Sequence, residues 1–286
     1  MSDHDLDIQR IERPTREEFQ RDWVDRNRPV ILTGVASEWP AFSWTPEYLR
    51  SVAGDSDVTV HYQEEANFHY WYQHLGERQD REMKFSQLLE LLTGEPPERR
   101  YYMTEHELEK VSPRLLEDVD LDRYLDRVIP MLFMGRDTYM PMHYHGATEA
   151  LLCQLHGSKS ITLYSPDQFR LLYPRRWYSR APVFSRVDTR DPDLDRFPKF
   201  KRARPMSFRL EPGEILFIPV HWWHVTGVEG FQISTTCFWK AKMSCYTFPA
   251  PGLQTVARES LKLKKVLHTI DELKAQLGRK PASARG

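Results

Sequence analysis

The chain has very little cysteine: three residues in 286, Cys153, Cys237 and Cys245, with no CxxC spacing. At least one thiol is left unpaired, which excludes a full disulfide framework and a zinc ribbon and points to a reducing compartment. Long apolar runs are also missing. No stretch approaches the ~18 apolar residues that a membrane span requires. The opening MSDHDLDIQRIERP is acidic and polar, where a secretory signal needs a basic start and an apolar run. The expectation is a cytoplasmic protein with no membrane partner. Nor is there an excess of positive charge, since 40 Lys and Arg against 41 Asp and Glu give a formal charge of -1. Binding to a phosphate backbone would have to rest on a local patch. Arg175, Arg176, Arg180 and Arg186, with Lys199, Lys201, Arg202 and Arg204, offer one. The interleaved Asp188, Asp191, Asp193 and Asp195 favour instead a solvated loop of internal ion pairs, so nucleic acid is not the expected partner.

What is present suits one large folded unit. Hydrophobic residues make up 40% of the chain, with eight Trp, thirteen Tyr and fourteen Phe to fill a core. A tail over residues 1–13, a domain over 14–247 and a C-terminal helix with its tail over 248–286 are expected. Thr15 and Glu18 form a capping-box pattern ahead of a helix through Phe19 and Trp23. Strands are expected at Pro29 to Thr33, Val58 to Tyr62 and Arg100 to Met103, and helices after the Trp39 to Tyr48 stretch and over Met83 to Leu92. From about Met131 to Tyr246 the pattern becomes β-rich: Leu151 to Leu155, Ser160 to Tyr164, Ser207 to Leu210, Ile215 to Ile218 and Phe231 to Trp239. Short strands at such spacing indicate a sandwich or barrel, mainly β with flanking helices. A long connection without obvious structure spans about 174 to 205, a length that marks functional or disordered segments. Leu253, Val256, Leu263, Val266, Ile270, Leu273 and Leu277 then form the apolar stripe of a terminal helix. Such a stripe must be covered, and a homodimer formed through this helix is expected.

His143 and His145 are two apart and, on an extended segment, share one face of the strand. His224, beyond the Ile215 to Ile218 strand and the Pro219 turn, is the natural third ligand. Imidazoles suit iron, copper, nickel and zinc alike, so the ligand type does not name the metal. An H-x-H pair also arises by chance in a chain with eleven His. Glu149 is read as a spare acidic ligand, a partner orienting an imidazole or a rim carboxylate, while His156 and His221 are read as structural or surface residues. Trp222, Trp223 and Trp239 are read as core.

The runs PMHYHGATEALLCQLHGSKSITLYSPDQFRLLYP, DPDLDRFPKF and LEPGEILFIPVHWWHVTGVEGFQISTTCFWKA resemble the JmjC-like cupins, the group of the asparaginyl hydroxylase factor-inhibiting HIF and the heat-shock-protein-associated cupins. RPVILTGVASEWPAFSWTPEYL, EMKFSQLLELL and RRYYMTEH extend the resemblance upstream, so that it covers roughly residues 14 to 240. It implies a double-stranded β-helix that holds Fe(II), binds 2-oxoglutarate and uses dioxygen to hydroxylate or demethylate a protein or small-molecule substrate. It puts the first metal ligand on His143 and the distal one on His224, and replaces the family's aspartate with His145. It also implies that Lys159 and Tyr102 hold the distal carboxylate of 2-oxoglutarate, an apt pairing because ammonium and phenol both donate to an anion. The family's supporting asparagines fall on Ala150 and Cys237, and a threonine near the pocket on Met140. Three functions stay open: a 2-oxoglutarate oxygenase, a three-histidine metal oxygenase that does not use 2-oxoglutarate, and a non-catalytic metal-binding module.

Overall fold

The computed structural model describes residues 7–63, 80–95, 99–126, 128–179 and 181–261. The N-terminal helix starts as its capping box dictates, with the Thr15 side chain accepting from the Glu18 N–H and the Glu18 side chain from the Thr15 N–H. It is shorter than expected, since only Arg16–Phe19 is α-helical and Gln20–Val24 widens into a π-helical turn that buries Trp23 and Val24. The tryptophan-rich stretch forms two short 3-10 turns, Ala36–Glu38 and Pro40–Ser43, before the helix Pro46–Ala53. Buried Asp118 pins this layer by accepting from Trp44 Nε1 at 2.8 Å and Tyr48 OH at 2.6 Å. The helix expected from Met83 begins instead at Phe85 and runs to Thr93, because Met83 pairs with Val58 in a strand.

Thirteen strands are described: β1 Arg10–Glu12, β2 Val30–Thr33, β3 Asp57–Gln63, β4 Asp80–Lys84, β5 Arg100–Glu107, β6 Pro130–Arg136, β7 Tyr139–Tyr144, β8 Thr148–His156, β9 Lys159–Tyr164, β10 Met206–Leu210, β11 Ile215–Ile218, β12 Trp223–Gly227 and β13 Phe231–Lys240. They form a large sheet, β1-β2-β11-β8-β13-β6-β5-β3-β4, and a small one, β10-β9-β12-β7. The architecture is a jelly-roll sandwich, as expected. Alternation along β8 explains its layers. Leu151, Cys153 and Leu155 pack outward with Phe19, Leu49, Leu88 and Leu89 of the helical layer. Ala150 and Leu152 pack inward with Ile161 and Leu163 of β9 and with Leu216 and Ile218 of β11. Burial on both faces is why β11 reads as an unbroken apolar run.

Of the terminal helix expected over Leu253 to Leu277, the described part is Gly252–Ser260, which sets Gly252 and Thr255 against the barrel and leaves Leu253 57% exposed. The rest of that stripe lies outside the described residues. No described helix is long and apolar enough to cross a membrane.

Gly135 on β6 is the tightest point of the inner wall. A Cβ there would meet Thr138 Cγ2 at 2.5 Å and Tyr102 Cδ2 at 2.8 Å. Gly135→Ala is therefore expected to cost ~1–3 kcal/mol of unfolding free energy by overpacking. A urea titration checks it, and an unchanged midpoint would show that Tyr102 is not held against this strand.

Candidate metal centre

Two adjacent antiparallel strands bring the histidines together. His143 on β7 lies directly opposite His224 on β12, and the register slips just beyond, between His224 and Thr226. Irregularities of this kind re-aim side chains near functional sites. His145 follows the end of β7. Ring centroids are 4.1 Å apart for His143 and His224, 4.7 Å for His145 and His224, and 5.9 Å for His143 and His145. One ring nitrogen from each lies within 4.8 Å of the others. His143 Nδ1 donates to the Pro141 carbonyl at 2.8 Å and His224 Nδ1 to that of Trp222 at 3.1 Å. These bonds put the hydrogens on Nδ1 and leave both Nε2 lone pairs free. His145 Nδ1 is buried with no hydrogen-bond partner.

Burial keeps all three rings neutral. It lowers the pKa of His143 to about 4 and, with the neighbouring His143 adding to the effect, that of His145 to about 3. His224 is driven well below its ordinary value by the same burial and by both neighbours. Converging neutral imidazoles with free lone pairs fit a transition-metal cation. Phe184, from the long 174–205 connection, stacks on His143 at 5.1 Å, and Phe238 of β13 meets His145 edge-on at 5.3 Å.

Deeper in the sandwich lies a second unusual group. Lys159 opens β9 and is only 2% exposed, with its Nζ donating to Ser234 Oγ of β13 at 3.0 Å. Among the described residues no carboxylate pairs with it, and burial draws its pKa down to about 7. Tyr102 on β5 is buried beside Phe133, 6.5 Å between ring centroids, and burial raises its phenol above the usual range. Register runs from Tyr102 to Gly135 of β6 and on to Gln232 of β13, a fully buried amide with neither polar atom partnered. A buried ammonium and unmatched polar atoms fit an organic anion.

The model of the cupin-like domain family matches residues 16–245. The chain belongs to the cupin-like domain family. Among its relatives, lysine-specific demethylase 8 of Danio rerio is 32% identical over 246 residues, 82% of this chain and 58% of that protein. Jumonji C domain-containing protein 5 of Drosophila melanogaster is 28% identical over 249 residues, covering 82% of this chain and 60% of the relative. The tRNA wybutosine-synthesizing protein 5 of Homo sapiens is 25% identical over 298 residues, 96% of this chain and 92% of the relative. The chain thus spans little more than half the length of the first two.

Several expectations for this cupin change with the structure. Glu149 is no rim carboxylate. It is buried opposite Trp239, outside the group of ligand atoms that converge within 4.8 Å, and burial pushes its pKa up to about 7. Ala150 lines the space between the sheets, but Cys237 packs outward with the helical layer and is no pocket residue. All three cysteines are buried free thiols. Met140 is half-buried at the slipped register opposite Thr226. Of the two histidines read as structural or surface residues, His156 is exposed and His221 is wholly buried, a structural residue. Trp223 is core, and half-buried Trp222 donates to the Asn27 carbonyl. In the long connection Asp188 does pair with Arg190, but Arg186 and Arg196 lie over the ring of Phe197. Arg180 lies outside the described residues. Sequence reasoning missed Ser234 and Gln232, two buried polar residues of β13.

An imidazole binds metal only as the neutral base. With His143 and His145 titrating at about 4 and about 3, cobalt(II) affinity should stay level from about pH 7.5 to about 5.5, where exposed imidazoles of pKa ~6.5 would already lose affinity. In the metal-free protein the unfolded chain takes up protons below about pH 6.5 while these rings do not, so stability falls as the pH drops through that window. Calorimetric titration checks the affinity, and a decline beginning at pH ~6.5 would contradict the buried triad. His143→Ala and His224→Ala should each empty the site; full occupancy in both would rule these residues out as ligands.

Proposed function

We propose that the protein is an Fe(II)- and 2-oxoglutarate-dependent oxygenase that hydroxylates or demethylates a protein or small-molecule substrate. Lys159 carries the reading, as a buried ammonium with no carboxylate to meet it among the described residues. It lies four positions along β9 from Leu163, the residue opposite His224. That is ~13 Å of strand, a gap that a lysine side chain and a five-carbon diacid fill together. His143, His145 and His224 hold the metal, and Lys159 with Tyr102 holds the far carboxylate. When bound, iron and 2-oxoglutarate supply dioxygen activation, with decarboxylation of the diacid to succinate and oxygen delivered to a substrate C–H bond. Three neutral ligands leave the metal its full positive charge, which strengthens attraction for a dianionic cosubstrate. Phe184 shields one face of His143 from water. The proposal includes a cytoplasmic setting and dimerisation through the C-terminal helix, where Leu253 and Leu261 are each 57% exposed.

One surface favours a second reading of the substrate, as RNA. A groove of about 1270 Å³ is lined by Arg28, Lys201, Arg202 and Arg204, with Asp7 and Asp167, beside Trp23 and Trp222. None of these four cations forms an ion pair among the described residues. Cations interleaved with aromatics suit a phosphate backbone and stacked bases, and one relative is named for tRNA modification.

Two measurements test these readings. Iron-loaded protein should turn 2-oxoglutarate into succinate, and Lys159→Met should weaken 2-oxoglutarate binding at least ~10-fold while keeping the metal, since a charged hydrogen bond contributes ~1.5–3 kcal/mol. Equal binding by the variant would end the cosubstrate assignment. Oxygen uptake without succinate would point to the three-histidine oxygenase instead, and a metal-loaded protein with neither activity to a binding module. For the RNA reading, Lys201→Glu with Arg204→Glu should reduce tRNA retention and flatten its salt dependence. Unaltered binding at every salt concentration would leave the groove without that role.

A further inference from the structure

The three histidines are not held equally. His143 and His224 sit within paired strands, and each has its Nδ1 fixed on a backbone carbonyl. His145 has neither support. β7 ends at Tyr144, and His145 Nδ1 has no partner. Beyond its ring packing against Phe238 and His224, the direction of its ring depends on its own backbone, at the turn into β8.

That backbone is gripped by one residue. The His221 N–H donates to the His145 carbonyl at 3.1 Å. The His221 ring accepts from the Thr247 N–H at Nδ1, 3.1 Å, which puts its hydrogen on Nε2. Nε2 then donates to the carbonyl of Gly146, the residue after His145, at 3.0 Å, with Thr255 Oγ1 at 3.3 Å. Two consecutive carbonyls, 145 and 146, are thus fixed by a single side chain and its own amide. His221 is fully buried and adopts φ +69°, the left-handed region that costs a non-glycine residue free energy. Tyr246 and Tyr144 pack around the ring at 5.0 and 6.0 Å. Thr247 and Thr255 belong to the segment that leads into and forms the helix Gly252–Ser260.

We propose that His221 is a positioning residue that orients the metal ligand His145 and couples it to the C-terminal segment. The inference rests on the metal-site reading above. His221 meets no metal itself, because both its ring nitrogens are committed to the protein.

Cobalt(II) titration, followed by visible absorption of the bound ion, tests the proposal on the full chain. His221→Asn suits the left-handed backbone and keeps an acceptor near Thr247, but falls short of Gly146. His221→Gln reaches to the Nε2 position and restores the donor to Gly146. His221→Asn is expected to raise the cobalt Kd ~10–100-fold, as loss of residues supporting metal ligands does, and to change the absorption envelope. His221→Gln should recover most of both. Circular dichroism establishes that each variant is folded. If His221→Asn is unfolded, Thr255→Val with His221→Gln carries the test, the expected result being weaker cobalt binding when the helix contact is lost. Wild-type affinity and spectrum in folded His221→Asn would overturn the positioning role alone. Absence of a cobalt band in the wild type would overturn the metal reading, and this inference with it.

Discussion

The antiparallel pairing of β7 with β12 sets His143 against His224 across a ladder that neither side chain has to maintain. Backbone hydrogen bonds fix the distance between the two Cα atoms, and the carbonyls of Pro141 and Trp222 fix the two rings. Other parts of the site attach to this pair. The long connection lies along β7, with the Ser185 N–H donating to Met142 and the Tyr144 N–H to Val183, and so carries Phe184 onto His143. Trp223, between the turn and His224, anchors β12 in a cluster with Tyr144, Phe169 and Leu172. A change at the pairing would move ligand, covering loop and core together.

The interior of the sandwich is polarised along its length. Histidine lone pairs stand at one end of β9, an ammonium at the other, and apolar Ile161 and Leu163 between. A buried lysine costs several kcal/mol when unpaired, and the depressed pKa of Lys159 records that cost. On the proposed reading, an incoming dicarboxylate would relieve it at one end and meet a cation at the other, so that the cost of burying the ammonium returns as affinity. By the same reading, the low pKa values of the histidines keep protons from competing with a metal.

The two-residue spacing of His143 and His145 was legible because alternation on an extended chain is strict. His224 was legible from its place after the Pro219 turn and from the resemblance, but its strand was not read, although Trp223 and Val225 alternate with His224 and Thr226 and pack into a separate cluster. A sandwich or barrel followed from short β-rich runs, and the jelly roll from the resemblance. The helix start at Phe85 did not, because DREMK carries one inward residue, Met83, and its pairing with β3 comes from far along the chain. The burial of Lys159 could not be read from composition, as lysine at the start of a strand ordinarily faces water. Cys237 illustrates a finer limit. Its place in the family pattern suggested a pocket residue, while its packing with Leu151, Ile233 and the helices sets it on the opposite face.

His221 was hidden for a different reason. Its partners are backbone groups of Gly146 and Thr247, which any residue presents, so no sequence pattern marks them. The covering loop bears on His143 through Phe184, and the C-terminal segment bears on His145 through His221. Two ligands are therefore each tied to a peripheral segment, whereas His224 is held from within by its strand and core. On the proposed reading, both segments thereby act on the metal ligands through identifiable contacts.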